Sequence, residues 1–187
     1  MLGPPATTAE LIAVRRTIGT RLSPDLGGWW RRVNGIQHRD GGYPPGALIP
    51  EYFHPYSTRQ AIDAWRMHLA IQREVYPNDL HNEMDRAIAH MMTQPAATNP
   101  REWLWLPGWV PWATNGMGDS LFIDLREGPH RGCVTRFRHD AGSAPDPQWP
   151  SIEALWHHAA NLLEAVDHEE FQRTGVFQIA RWDVPYG

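Results

Sequence analysis

The sequence has a single cysteine, Cys133, and no lysine among its 17 basic residues. One thiol excludes an internal disulfide and every multi-cysteine metal site, including zinc ribbons and iron–sulfur clusters. The exclusive use of arginine is typical of a GC-rich coding sequence and indicates no site. No stretch approaches the roughly 18 consecutive apolar residues of a membrane-spanning helix, so no membrane span is expected. The first residues, MLGPPATTAEL, lack the basic and apolar regions of a secretory signal, and we expect a cytoplasmic protein.

The composition is that of a folded protein with a slightly acidic balance. Of the 187 residues, 42% are apolar and 20% are charged, which excludes a disordered chain. The 17 basic residues are outnumbered by 21 acidic ones, which argues against direct binding of nucleic acid and is compatible with a basic protein partner. The ten histidines include no HExxH motif, and His157 and His158 are adjacent and would diverge on a helix. We therefore predict no metal or other cofactor.

Helical periodicity is concentrated in the first half of the chain. Apolar residues recur at helical spacing after Thr7, Ser23 and Ser57, again around Met84, and once more after Ser151. Thr7 and Ser57 are each followed three residues later by Glu or Gln, which is the pattern of a capping box. The sequence therefore predicts five helices. In the helix after Ser57, the residues predicted to face the core are Ile62, Trp65 and Leu69.

Short apolar runs separated by turn residues begin after Trp103 and are typical of strands. They predict strands over 109–113, 120–125 and 132–137, with a further short strand over 176–179. Helices followed by a meander of strands and a final helix do not form a βαβ alternation. The order predicts an α+β fold with a mixed, largely antiparallel sheet and helices packed around it, as a single domain over residues 1–187.

Two aspartates flank the second predicted strand. Asp119 and Asp124 are five residues apart, so a regular strand would point them to opposite faces. That spacing weakens a catalytic carboxylate pair and favours a structural role, in which Asp119 braces the glycine-rich turn before it. Cys133 lies among apolar neighbours, where a thiol usually acts as a small hydrophobic residue and not as a nucleophile.

The tryptophans are the main compositional anomaly, with ten in the chain. Four lie between positions 103 and 112, and strand alternation cannot point all of them inward. Some of these rings either pack under neighbouring elements or face a partner, because tryptophan is a common interface anchor. The predicted binding residues are the anchors Trp103, Trp105 and Trp112 together with the loop acids Glu51, Glu127 and Asp140.

Six residues between positions 109 and 124 form a spaced signature: Trp109, Pro111, Gly116, Gly118, Asp119 and Asp124. This arrangement resembles the central motif of the SUKH superfamily, the Smi/Knr-type domain of fungal cell-wall regulators and bacterial immunity proteins. The segments 22–26 and 149–155 are similar to the flanking parts of the family, so the resemblance covers about residues 22–165. One departure is that residues 126–132 replace the Pro-Gly that follows the second aspartate in the family.

The resemblance implies an α+β domain that has no catalytic residues and binds another protein. Its bacterial members bind and neutralise polymorphic toxins, many of them nucleases or deaminases. For this chain it implies an immunity protein that occludes a cognate toxin domain without acting as an enzyme. Two alternatives remain open: a regulatory or scaffold module in cell-wall assembly or signalling, and a hydrolase that uses Asp119 and Asp124. The oligomeric state is not predicted.

Overall fold

The computed structural model of the chain describes residues 2–36, 49, 53–100 and 103–164. The predicted order of helices, strand meander and final helix is confirmed, and with it the α+β fold class. A 3-10 turn, Asn78–Leu80, precedes α4. In chain order the elements are α1 (Thr8–Ile18), α2 (Pro24–Trp30), β1 (His54–Pro55), α3 (Thr58–Val75), α4 (His81–Thr93), β2 (Trp109–Thr114), β3 (Ser120–Asp124), β4 (Val134–Arg138), β5 (Gly142–Ser143) and α5 (Ile152–Glu164).

Two capping boxes fix the starts of α1 and α3, as predicted. The Thr7 hydroxyl accepts from the Glu10 backbone N–H at 3.2 Å, and the Glu10 carboxylate accepts from the Thr7 N–H at 2.7 Å. Ser57 and Gln60 form the same reciprocal pair at 3.3 and 2.9 Å. These contacts satisfy backbone donors that a helix N-terminus otherwise leaves without a partner.

The sheet is a meander in which chain order and spatial order agree, β1-β2-β3-β4-β5. Every strand pair among the described residues is antiparallel. The described sheet is therefore purely antiparallel, whereas a mixed, largely antiparallel sheet was predicted. A register shift between Pro111 and Ala113 makes a bulge in β2. Proline lacks a backbone donor and is tolerated at such irregular positions. The two-residue strands β1 and β5 were not predicted, because two residues show no alternation.

Apolar side chains cover both faces of the sheet. Leu121 and Ile123 of β3 belong to one buried cluster, with residues of α1, α2 and α5. Phe122, between them, belongs to a second cluster with Trp105 and Trp109, against which α4 packs. Since successive strand residues point to opposite faces, the two clusters lie on opposite sides of the sheet. Both sides are therefore hydrophobic cores.

The buried stripe of α3 differs from the predicted one. It contains Ala61, Ala64, His68 and Gln72, whereas Ile62, Trp65 and Leu69 are only half-buried and pack at the margins of the clusters. The polar stripe is buried because partners are available: His68 contacts the Ser120 hydroxyl, and Gln72 bonds to the Trp105 backbone at both its N–H and its C=O. Periodicity in apolar residues alone cannot detect such a face.

Two expectations extend beyond what this structure describes. The predicted strand over 176–179 lies outside the described residues, and the extent of a single domain over residues 1–187 stays a prediction. In the part of the chain that is described, no helix is both long enough and apolar enough to cross a bilayer.

Two glycines in left-handed conformation provide a test of the packing between the N-terminal segment and α3. Gly35 has φ 81°, and a Cβ there would lie 2.5 Å from the backbone nitrogen of Ser57, whereas Gly19 has φ 78° and no atom within 4 Å of a Cβ. Gly19→Ala should cost only backbone strain of about 1 kcal/mol. Gly35→Ala should cost about 2 kcal/mol more, because rigid backbone must move. Urea unfolding of both variants measures the difference, and equal losses would contradict the close approach.

Candidate functional site

The turn between β2 and β3 is held by its own side chains. The Asn115 side-chain carbonyl accepts from the backbone N–H groups of Met117 and Asp119 at 2.9 and 3.2 Å. The Thr114 hydroxyl donates to the Asp119 carbonyl at 3.2 Å. Both glycines of the turn have positive φ, 73° and 101°, a conformation that favours glycine. The glycine-rich part of the signature therefore produces one fixed turn with Met117 at its tip.

Asp119 connects this turn to β4 and to the residue after it. One carboxylate oxygen accepts from Arg136 Nη2 at 2.6 Å. The other accepts from the backbone N–H of His139 at 3.2 Å and contacts His139 Nδ1 at 2.9 Å. Burial acts to raise the pKa of Asp119, but the hydrogen bonds from Arg136 and His139 outweigh it and hold the pKa below its usual value. The carboxylate is thus ionised at neutral pH and braces the turn.

Asp124 forms a second, fully buried ion pair at the other end of β3. Its carboxylate accepts from Arg126 Nη2 at 2.6 Å and from the Ala97 backbone N–H at 3.1 Å. The Arg126 guanidinium also donates to the backbone carbonyls of Met91 and Thr98 at 2.8 and 3.0 Å. The pair therefore joins the end of α4 and the loop after it to the sheet.

The two aspartates do not face one another. They lie at opposite ends of β3, which places their Cα atoms about 16 Å apart at the usual rise per strand residue. Each carboxylate binds its own arginine, Arg136 or Arg126, and they have no common partner among the residues that the structure describes. A glycosidase that uses two carboxylates needs the two carboxyl groups to lie roughly 5–10 Å apart. This arrangement can fix the sheet, but it does not bring together the pair that such a hydrolase requires.

The structure separates the three predicted tryptophan anchors. Trp105 and Trp112 are both 0% exposed, so neither ring can be reached by a partner, and their prediction as anchors is corrected. The alternation argument failed because the sheet has a core on each face: Trp112 lies in one cluster and Trp105 in the other. Trp103 is half-buried and packs edge-on against Phe137.

The predicted acidic residues lie in different surroundings. The Glu127 side chain is 90% exposed, and Arg131 is 3.7 Å from its carboxylate. Asp140 is exposed and bonds to Arg138 at 2.9 Å, which balances its charge and lowers its pKa. Glu51 lies outside the described residues. Glu127 and Asp140 lie near different arginines, Arg131 and Arg138, and the structure records no contact between the two acidic side chains. They therefore do not form one acidic patch by direct contact.

Two buried groups with shifted pKa values belong to the core. His68 stacks on Trp105 with ring centroids 3.9 Å apart, and burial lowers its pKa to about 4. Burial and the nearby charge of Asp124 raise the pKa of Cys133 to about 11. The Cys133 thiol is therefore protonated at neutral pH, unlike a catalytic thiolate. Within the described ranges, no three His, Cys, Asp or Glu side chains are grouped as a metal site would need.

Two residues at this turn were missed as candidates. Met117 is 67% exposed at the tip of the turn, and the His139 side chain, which lies against Gly118, is 60% exposed. The available signal for Met117 was an apolar residue between two glycines, where no core position is expected. No signal pointed to His139, because its contact with Asp119 depends on the pairing register of β3 and β4.

Comparison with known proteins agrees with the motif. The family profile described as SMI1 / KNR4 family (SUKH-1) matches residues 5–156, which include the whole signature. Compared with the expected range of about 22–165, the match begins earlier and ends about nine residues sooner. No curated protein matches the chain.

Asp124→Asn tests the buried ion pair. The substitution leaves the Arg126 guanidinium, whose side chain is 1% exposed, without its counter-charge. We expect a loss of about 3 kcal/mol in the free energy of unfolding, because an uncompensated buried charge is strongly unfavourable. Asp140→Asn, at an exposed ion pair, is the control and should leave stability unchanged. Urea denaturation measures both, and similar small effects would show that the buried pair contributes little.

His68 should make the stability depend on pH. Its folded-state pKa of about 4 lies below the ordinary value of 6.5, so the unfolded chain binds more protons between these values. Stability should therefore fall as pH decreases from about 6.5 towards 4, by about 2–3 kcal/mol between pH 7 and 4.5. His68→Gln should remove this part of the dependence. His157→Gln, at a side chain 76% exposed, should retain it. Identical profiles of unfolding free energy for all three proteins would contradict the assignment.

Proposed function

The chain belongs to the SMI1 / KNR4 family (SUKH-1), and we propose on that basis that it is an immunity protein, which binds and neutralises a cognate polymorphic toxin of the nuclease or deaminase type. The observation that carries the proposal is the family match over residues 5–156, which includes every position of the signature. The site of action is the bacterial cytoplasm, where a nuclease or deaminase would meet its substrate.

The mechanism is stoichiometric occlusion without catalysis. The bound immunity protein covers the active site of the toxin and excludes the toxin's substrate. This requires a preformed binding surface on the immunity protein but no reacting group. The fixed turn between β2 and β3 supports such a role, because its backbone is already ordered by Asn115 and Asp119. The engagement of Asp119 and Asp124 in separate ion pairs also favours binding over hydrolysis.

The acidic balance of the chain fits a basic partner. Its net charge is −4 at pH 7. Opposite net charges accelerate association by electrostatic steering, and enzymes that act on nucleic acid carry basic surfaces. This argument concerns the class of partner and its rate of association, and it does not identify one toxin.

A second candidate function is a regulatory or scaffold module in cell-wall assembly or signalling. Membership of the SMI1 / KNR4 family supports it, because the resemblance to this family implies relatives among the fungal cell-wall regulators as well as among the bacterial immunity proteins. The two functions differ in their partners: an immunity protein binds one toxin tightly, whereas a scaffold binds several proteins weakly and has no toxin gene beside its own.

A titration of toxin activity tests the proposal. The immunity function predicts a toxin gene beside the gene for this chain, and the toxin domain from that gene is assayed on its substrate while the purified chain is added. We expect activity to decrease linearly and to reach zero at one chain per toxin, because occlusion consumes one molecule for each site. Heat-denatured chain is the control.

Two outcomes would contradict the proposal in different ways. Full toxin activity at a large excess of chain would reject the immunity function. Inactivation of many toxin molecules by one chain would show turnover, and with it an enzyme.

A further inference from the structure

The sequence contains two Asn-Gly pairs, which begin at Asn34 and Asn115. Asparagine is chemically labile, and a following glycine makes it more so, because the glycine has no Cβ to obstruct its nitrogen. Each asparagine follows a β-branched residue, a valine in the first pair and a threonine in the second, so the two pairs should react at similar rates in an unfolded chain. A difference between their rates in the folded chain is therefore due to the structure.

The reaction of such a pair is an intramolecular substitution followed by hydrolysis. The glycine nitrogen loses its proton and attacks Cγ, the side-chain carbonyl carbon of the asparagine. The Cγ–Nδ2 bond breaks, and the amide group leaves as ammonia after it takes up a proton. One water molecule then opens the five-membered imide at either of its two carbonyl groups, which gives aspartate or isoaspartate. The reaction therefore needs a glycine nitrogen that can attack and a side chain that can turn towards it.

In the second pair both reacting groups are held. The Gly116 backbone N–H donates to the Thr114 hydroxyl at 3.0 Å. The Asn115 side chain accepts from two backbone N–H groups of the turn at 2.9 and 3.2 Å, and it donates to the Asp119 carboxylate at 3.3 Å. Asn115 is also buried, at 6% exposed. Attack on Asn115 therefore requires the hydrogen bonds of the turn to open together.

The first pair is held less completely. Within the described ranges, no hydrogen bond occupies the Gly35 N–H, and Asn34 is only half-buried. The Asn34 side chain links α3 to α1, since its carbonyl accepts from the Thr58 backbone N–H at 2.7 Å and its amide donates to the Glu10 carboxylate at 3.3 Å. Release of this one side chain is enough to bring Cγ within reach of the glycine nitrogen.

We propose that Asn34 is a site of spontaneous deamidation in the folded chain and that the turn between β2 and β3 protects Asn115 from the same reaction. The product changes the link between α1 and α3. Hydrogen bonds from the backbone and hydroxyl of Thr7 lower the pKa of Glu10, so its carboxylate is ionised at neutral pH. Deamidation replaces the amide that donates to Glu10 by a second carboxylate, and the two like charges repel. The link is thus loosened by a one-way change that accumulates with time.

Incubation of the full chain at mildly alkaline pH tests the site, because the reaction needs a deprotonated nitrogen. Mass spectrometry of the digested samples measures the conversion of amide to acid at each asparagine. In the folded chain we expect Asn34 to react at least about tenfold faster than Asn115, and in urea we expect similar rates. Thr114→Val keeps a β-branched residue but removes the hydroxyl that binds Gly116. It should raise the rate at Asn115 and leave the rate at Asn34 unchanged.

Asn34→Asp imitates one product and tests its effect on the fold. This variant should unfold at a lower urea concentration than the unaltered chain. Glu10→Gln in the same chain should recover part of the loss, because the glutamine amide can donate to the new carboxylate while its oxygen keeps the bond to the Thr7 N–H. Such recovery distinguishes charge repulsion from general damage at this position.

Three results would overturn the proposal. Equal rates at the two asparagines of the folded chain would show that the turn gives no protection. Reaction of both only in urea would show that the fold protects Asn34 as well. An unchanged urea midpoint for Asn34→Asp would show that the link between α1 and α3 is not loosened. The immunity function does not depend on any of these results.

Discussion

Two buried carboxylates fix the central strand of the sheet at its two ends. Asp119 precedes β3 and pairs with Arg136 at 2.6 Å, and Asp124 ends it and pairs with Arg126 at the same distance. A buried charge is tolerated only when it is paired and fully hydrogen-bonded. Because the required partners come from α4, the following loop and β4, these elements must assemble in one arrangement. All five residues of β3 are buried, so both cores are built on a strand held in this way.

The helices were largely predictable because their signals are local. A capping box spans four residues, and Thr7 and Ser57 each begin a helix where that pattern occurs. The strand meander was also predictable, since its apolar runs are bounded by turn residues. The buried face of α3 was not, because His68 and Gln72 enter the core only when Ser120 and the Trp105 backbone supply their partners.

The exposure of the predicted binding residues was less predictable because it depends on the tertiary arrangement. An alternating strand pattern indicates an exposed ring only if one face of the sheet meets solvent, and here Trp105 and Trp112 fill cores on opposite faces. His139 contacts Asp119, which is 20 positions away in the chain. A sequence pattern does not show whether the second face of a sheet is buried, nor which distant residues come into contact. The turn itself was recognisable from its glycines.

The order of assembly follows from the pairing of β1 with β2. His54 of β1 pairs with Thr114 of β2, so β1 can pair only after some 60 further residues have been synthesised. The cluster that contains Leu26 and Trp30 is completed only by Ile152 and Leu155 of α5. While the chain emerges from the ribosome, the early helices therefore keep their apolar faces in water until nearly the whole described region has been synthesised. Nascent chains of this protein should need protection by chaperones until that point.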